Sequence, residues 1–236
     1  MNDPFGQAIK DFFEKGKAPD IRVDTNYTED ENIPVSYFFR TKKKMPEIEQ
    51  KALELCKGKI LDVGAAAGCH ALILQNENKD VTALEISPLA ADVMQKRGVE
   101  KIIQADIFEF EDEKFDTILL LMNGTGIGGT VQGLKKLLTH LKTLLNENGQ
   151  ILIDSSDIKY LFEEEDGSFW VDLNNAAYYG EMQYEVKYKN NFAAFDWLFI
   201  DFKKLSEIAI KTGLKIELAY SGKHFDYLAK LTKQLI

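Results

Sequence analysis

Three acids and a short run of small residues are the parts of this 236-residue chain best placed to do chemistry. Asp62 sits inside the apolar run Ile60 to Val63, Glu85 closes a second apolar run 21 residues after Gly64, and Asp106 follows a third another 21 residues on. Between the first two acids lies Gly64-Ala-Ala-Ala-Gly68, which leads straight into the helix-like pattern Cys69-His-Ala-Leu-Ile-Leu-Gln75. A strand, a tight turn and a helix N-terminus in succession present free backbone N–H groups to a ligand. Carboxylates at neighbouring strand ends add acceptors at the same place, so the pattern suits an anionic or nucleoside-bearing ligand.

The elements that must hold these residues are legible from Gly58 onward. Strand patterns cover Lys59–Val63, Asp80–Leu84, Lys101–Gln104, Thr117–Met122 and Gln150–Ile153. Helical patterns lie between them. Val131, Leu134, Leu138, Leu141 and Leu145 form one apolar stripe, and Ser87-Pro88 reads as an N-cap followed by proline in the first turn. Alternating β and α with apolar strands predicts a doubly wound parallel sheet. In a parallel sheet the strand C-termini line one crevice, and that crevice is where all three acids fall.

Both ends of this core carry additions. Residues 1–55 predict a helical cap. Phe5, Ile9, Phe12 and Phe13 have helical spacing, 20–33 is polar and acidic and reads as a loop, and Pro46 opens a helix to Cys56. Residues 160–202 are rich in aromatics. Met182, Tyr184, Val186 and Tyr188 alternate with polar residues, and Lys189-Asn-Asn191 turns the chain back into Phe192–Ile200. This predicts an antiparallel hairpin inserted over about 160–200. The acidic run Glu163–Asp166 reads as a solvated loop. A last helix, about Phe202–Thr212, ends at Gly213, and strands Lys215–Tyr220 and Phe225–Leu231 complete the sheet.

Bulk properties exclude several classes. The net charge is −9, and Lys42-Lys43-Lys44 is the only basic run, which argues against nucleic acid as a partner. No stretch reaches 18 apolar residues, so no membrane partner is expected. Met1-Asn-Asp-Pro-Phe lacks the order of a signal peptide, and two cysteines build neither a disulfide framework nor a zinc site. A cytoplasmic protein without a metal is the expectation.

An acid ending the second strand suits both hydroxyls of a ribose, and an acid after the third suits an adenine amine. These positions predict an adenosyl cofactor. The glycine spacing selects which one. A dinucleotide loop reads G-x-G-x-x-G, and here Cys69 stands at its third glycine. At this point the chain resembles the class I S-adenosylmethionine-dependent methyltransferases. The likeness runs through Leu61-Asp62-Val-Gly64-Ala-Ala-Ala-Gly68, Ala83-Leu84-Glu85-Ile-Ser-Pro88, Gln104-Ala-Asp106-Ile107, Phe115-Asp-Thr-Ile118 and Leu144-Leu-Asn-Glu-Asn-Gly149 with the strand after it, over about residues 56–155.

The resemblance implies a Rossmann-like, seven-stranded α/β sheet spanning 56–236. It implies S-adenosylmethionine as methyl donor, S-adenosylhomocysteine as product, and a small-molecule acceptor whose reacting atom is O, N, S or C. Gly64, Ala65, Ala66 and Gly68 should lie along the methionine part. Glu85 should hold the ribose, with Ile86 on the adenine, and Asp106 and Ile107 should frame the adenine from the other side. Leu121, Met122 and Asn123 should sit near the sulfonium, with Asp62 acting through water or neighbouring groups. The family usually has glycine at the position of Ala66. Alanine there sits at negative φ or costs roughly 1 kcal/mol of strain.

Acceptor-side candidates come from outside these motifs, each beside a structural alternative. Tyr37 and Arg40 belong to a segment that folds over the cofactor or anchors the cap. His70 faces a ligand or is ordinary helix. Asp157 is a base or a loop cap. Tyr184 and Trp197 shape the acceptor site or merely pack the hairpin. No catalytic residue is singled out, because methyl transfer can proceed by positioning alone. The Asp/Asn-Pro-Pro-aromatic tetrapeptide of relatives that methylate nucleobases or glutamine is replaced by Asn123-Gly124-Thr125. A non-catalytic binding protein and an NAD-dependent oxidoreductase are the other functions considered, and a monomer or homodimer is expected.

Overall fold

The structure, a computed structural model, describes residues 2–163 and 177–234. Seven strands form the main sheet. They are β3 (Ile60–Val63), β4 (Val81–Glu85), β5 (Ile102–Gln104), β6 (Phe115–Leu120), β7 (Leu145–Ser156), β10 (Leu214–Ser221) and β11 (Asp226–Lys233). Their order is β10-β11-β7-β6-β3-β4-β5, parallel from β7 to β5 and antiparallel across β10, β11 and β7. The chain runs outward from β3 to β5 and then returns to lay β6 on the other side of β3. That reversal opens a crevice at the strand C-termini.

Helices α2 (Glu47–Leu55), α3 (Cys69–Asn76), α4 (Pro88–Lys96), α5 (Val131–Leu144) and α6 (Phe202–Lys211) accompany the sheet. Every residue of β3 and β4 is buried, as expected of strands covered on both faces. Helix α5 buries Leu134, Leu137, Leu138, Leu141 and Leu144 against the sheet. Leu145, read from the sequence as the last residue of that stripe, instead begins β7.

The cap departs from the expectation of a helix and a loop. Helix α1 (Pro4–Lys15) is present, with Asp3 accepting from the Gly6 amide at 2.7 Å as its N-cap and Gly16 closing it in the left-handed region. Residues 20–33, however, contain β1 (Ile21–Thr25) and β2 (Glu31–Ile33). Ile21 and Val23 are buried between exposed or half-buried polar neighbours, a two-residue alternation too short to stand out in an acidic stretch. These strands join β8 (Glu181–Tyr188) and β9 (Asn191–Leu198) in a second sheet of order β2-β1-β8-β9. The predicted hairpin therefore exists, and its partner is the N-terminus rather than the main sheet. Ile9, Ile21, Val23, Val186 and Tyr188 bury a shared core beneath it, against Ala90 and Val93 of α4. Of the acidic run Glu163–Asp166, only Glu163 lies within the described residues.

Candidate functional site

The crevice between the two sheets is a cavity of about 760 Å³. Its floor is formed by the ends of β3, β4, β6 and β7. Helix α1 and the 3₁₀ turn Val35–Phe39 cover it, and β9 supplies an aromatic wall. A smaller depression lined by Gln75, Asp80 and Lys101 lies at the opposite ends of the strands, away from all the predicted residues.

The turn after β3 is strained in a specific way. Gly64 (φ 71°) and Gly68 (φ 76°) are left-handed, and so is Ala66 (φ 49°). Ala66 thus takes the costly alternative, about 1 kcal/mol or more for a residue with a Cβ. Glu85 offsets this cost. Its Oε2 accepts from the Ala66 amide at 2.7 Å, and its Oε1 accepts from Ser87 at 2.9 Å. Glu85 is buried, and burial raises its pKa while the Ser87 and Ala66 amides pull it back. Gly64, Ala66, Glu85 and Ile86 line the cavity. Gly64 leaves room there, since a Cβ would meet only Ile127, at 3.7 Å. Gly68 serves a different purpose: a Cβ on it would come within 2.9 Å of Val99 and 3.0 Å of Met94.

A second strained turn follows β6. Met122 (φ 66°) and Asn123 (φ 62°) are consecutive left-handed residues. Asp154, at the end of β7, clamps them, its Oδ2 accepting from the Met122 amide at 3.1 Å and its Oδ1 from Gly124 at 2.9 Å. Burial pushes the Asp154 carboxyl up to about 7. Asn123 is anchored on both sides of its amide: its Nδ2 donates to the Leu198 carbonyl at 3.1 Å and its Oδ1 accepts from Ser155 Oγ at 2.8 Å. These bonds fix the turn to the hairpin and leave one amide N–H for a further acceptor. Leu121, Met122 and Asn123 line the cavity beside Asp154.

Behind the cavity wall lies a buried charge cluster. Arg40 Nη2 donates to both Glu49 oxygens at 2.9 and 3.0 Å, and His70 Nε2 lies 2.7 Å from Glu49 Oε2. Burial opposes charge on His70, but the Glu49 contact and nearby Asp62 outweigh it and raise its pKa. The Arg40 guanidinium stacks 3.4 Å from the centre of the Tyr37 ring. Arg40 Nη1 and Asp62 Oδ2 have no hydrogen-bond partner among the described residues. Burial, with a smaller push from the Glu49 charge, raises the Asp62 carboxyl against the pull of His70 and the Ala71 amide.

The predicted residues therefore divide. Tyr37, Tyr184 and Trp197 line the cavity, whereas Arg40 and His70 stand behind Glu49. Asp62 and Ala65 are buried beneath the turn rather than in the lining. Asp106 is half-buried outside the lining, accepting from the Phe108 amide at 2.9 Å, and the Ile107 side chain is in the core with Leu84 and Phe110, not on a ligand-facing wall. Asp157 caps the 3₁₀ turn Ile158–Phe162 and accepts from Tyr179 Oη at 2.7 Å, also away from the lining.

Sequence reasoning passed over Glu49 and Asp154. Glu49 resembles any acid in a helix's first turn, and only its partners distinguish it. Asp154 carried a usable signal, since it ends the apolar run Ile151-Leu-Ile just as Glu85 ends its own. Among the described residues no cluster of His, Cys, Asp or Glu is placed to hold a metal ion, and no helix is long and apolar enough to cross a membrane.

Comparison with known proteins places these features in context. Residues 61–153 match a family described as a methyltransferase domain. A solved S-adenosylmethionine-dependent methyltransferase from Bacteroides fragilis, in complex with S-adenosyl-L-homocysteine, is 47% identical, covering 99% of this chain and 96% of its own, with a TM-score of 0.92. A sugar N-methyltransferase from Streptoalloteichus sp shares 17% identity over 89% of this chain and 96% of its own, with a TM-score of 0.58. One from Clostridium acetobutylicum, described as a S-adenosylmethionine-dependent methyltransferase, shares 13% over 82% and 94%, at 0.57. At such identities the last two bear on the fold alone. None of the curated proteins matches the sequence.

Proposed function

Because the chain belongs to the class I S-adenosylmethionine-dependent methyltransferases, we propose that the crevice seats the cofactor at its β3–β4 side and a small-molecule acceptor under the β9 wall. The protein is a methyl-transferring enzyme. When bound, the cofactor supplies an electrophilic methyl group on a sulfonium, which leaves as the sulfur keeps the bonding electron pair.

The observation that carries the reading is Glu85, a buried carboxylate in the lining whose partners are two backbone amides and no cation. Each oxygen keeps a lone pair for a further donor, which is what two ribose hydroxyls supply. Ile86, 60% exposed in the same wall, offers an adenine an apolar face. Asp106 follows β5, whose Gln104 pairs with Glu85, and takes the adenine amine from the rim. Gly64 and Ala66 flank the methionine part, and Leu121, Met122 and Asn123 border the reacting methyl. Gly68, Ala65 and Asp62 act beneath the turn by holding its shape. The solved 47% identical relative contains S-adenosyl-L-homocysteine, which supports the choice of cofactor.

On the other side, Tyr37, Tyr184 and Trp197 define the space for the acceptor, and Arg40 and His70 keep Glu49 in place. Residues 1–55 serve as the cap and 56–236 as the transferase domain, acting as a monomer or homodimer in the cytoplasm. Calorimetry tests the reading. S-adenosylhomocysteine should bind stoichiometrically and NAD should not. A protein that binds NAD and ignores S-adenosylhomocysteine would refute it.

A further inference from the structure

We propose that the methyl acceptor is a basic amine carried on an apolar or aromatic body, and that Asp154 binds its ammonium group and takes a proton from it. The inference rests on the division of the crevice into cofactor and acceptor sides proposed above. Its starting point is the charge of the walls. Among the described residues the lining contains Asp3, Glu49, Glu85, Asp154 and Asp226, and no Lys, Arg or His.

Four of these acids have other work or another place. Asp3 caps α1 and accepts from Ser87 Oγ at 2.5 Å. Glu49 is neutralised by Arg40 and His70. Glu85 lies at the cofactor side. Asp226 is at the half-exposed edge, where it accepts from the His224 amide at 3.0 Å. Asp154 alone is a buried carboxylate beside Met122 and Asn123 with no cation among its partners.

An acceptor bearing a carboxylate or phosphate meets like charge there with nothing to offset it. A neutral alcohol brings no charge to pair with the carboxylate when it ionises. An ammonium group pairs with it. Each Asp154 oxygen accepts one backbone N–H and retains a lone pair for an ammonium N–H. The wall opposite suits the rest of such a molecule. Tyr184, Phe195 and Trp197 sit with ring centroids 5.9–6.1 Å apart, presenting π faces that attract a cation and apolar area for its body.

An ammonium nitrogen has no lone pair with which to attack, so one proton must leave before methylation. The proton passes from nitrogen to an Asp154 oxygen, the N–H bond breaks with its electron pair left on nitrogen, and the carboxylate becomes a carboxylic acid. The raised pKa of about 7 suits this exchange at neutral pH. Nucleobase and glutamine nitrogens, whose lone pairs are delocalised, pose a different problem. The missing Pro-Pro tetrapeptide after β6 is consistent with that difference.

The test is calorimetry on the full chain saturated with S-adenosylhomocysteine, titrated with 2-phenylethylamine, 2-phenylethanol or 3-phenylpropionate. The amine should bind at least about tenfold more tightly than the alcohol, the scale of a charge-assisted contact, and the carboxylate should not bind. An alcohol or carboxylate that binds as well as the amine, or no binding by any of the three, overturns the inference. Asp154→Asn should erase the amine preference, and a retained preference overturns the role of Asp154. Should that variant fail to fold, the wild-type protein decides. Its amine affinity should rise by about tenfold from pH 6 to pH 8 as Asp154 ionises, and a flat profile overturns the role. The charged and titratable groups around Asp154 are Glu49 from α2, His70 from α3, Tyr37 from the 3₁₀ turn, and Asp226 and Tyr227 from β11. Absence of S-adenosylhomocysteine binding removes the reading beneath the inference. Binding of it together with preference for the alcohol removes only the amine assignment.

Discussion

The turn after β3 and the turn after β6 solve one problem in two ways. Both place residues with side chains in the left-handed region, and both are pinned by a buried carboxylate that accepts two backbone amides. In the first turn, glycines carry two of the three left-handed positions, and the acid comes from the adjacent strand β4. In the second, Met122 and Asn123 carry the strain themselves, and the acid comes from β7. The first turn lies on the proposed cofactor side. The second lies on the proposed acceptor side and is tied through Asn123 and Ser155 to the inserted hairpin. One kind of carboxylate clamp thus holds both turns that border the crevice.

The comparison breaks most directly at Gly68. Gly68→Ala adds a Cβ at φ 76° and within 2.9 Å of Val99, so the cost combines left-handed strain with overpacking. A loss of about 3 kcal/mol in urea unfolding is expected. A loss below about 1 kcal/mol would mean that the turn relaxes freely and needs no clamp. Next comes Glu85→Ala. Losing a charge-assisted contact and freeing the Ala66 amide should weaken S-adenosylhomocysteine binding at least tenfold, about 1.4 kcal/mol or more by calorimetry. Unchanged affinity would show that the clamp is structural and that the ribose lies elsewhere.

Ala66→Gly sharpens the comparison from the other direction. It removes left-handed strain but adds unfolded-state entropy, so stability should rise by about 0.5–1 kcal/mol, or about 1–4 °C in melting temperature. A fall would mean that the alanine methyl contributes packing worth more than the strain. A last test is the pH slope. Asp154 titrates at about 7 in the fold against 3.8 ordinarily, so it keeps its proton in the folded chain where the unfolded chain has released it. The resulting stabilisation is complete below about pH 4 and is lost as pH rises through 7. Melting temperature should therefore decline from pH 5 to pH 8, and Asp154→Asn should flatten that decline. Glu85 and Asp62 shift in the same direction and leave a residual slope. Equal slopes in the two proteins would remove Asp154 from this account.

How far the sequence could be read follows the same division. The parallel half was legible because its signals are local. Apolar runs end in acids, glycines mark the turn, and Ser87-Pro88 caps α4, where the Ala90 amide donates to Ser87 Oγ at 3.0 Å. The second sheet was only half legible. Strand β8 alternates over its eight residues and a tight turn leads back into β9, whereas β1 and β2 are short and gain their meaning from the sheet they form with β8. Arg40 and His70 stood out as charges in suggestive places. Their shared partner Glu49, which turns both inward, did not, because proximity across nine and 21 residues of sequence leaves no local trace. Asp157 drew attention over Asp154 although both flank the same strand end. Pattern alone does not say which one the sheet buries.

The small sheet joins opposite ends of the chain, with Arg22 opposite Lys187 and Val23 opposite Val186. On a ribosome, every strand of the parallel half emerges before the first residue of β8. The floor of the crevice can assemble while synthesis continues, but its aromatic wall is missing until the last quarter of the chain arrives. Contacts of such long sequence separation are costly to close and are formed late. The order of birth therefore has a floor first and a chamber second, and a nascent chain with its parallel strands in place still lacks the aromatic wall that closes the crevice.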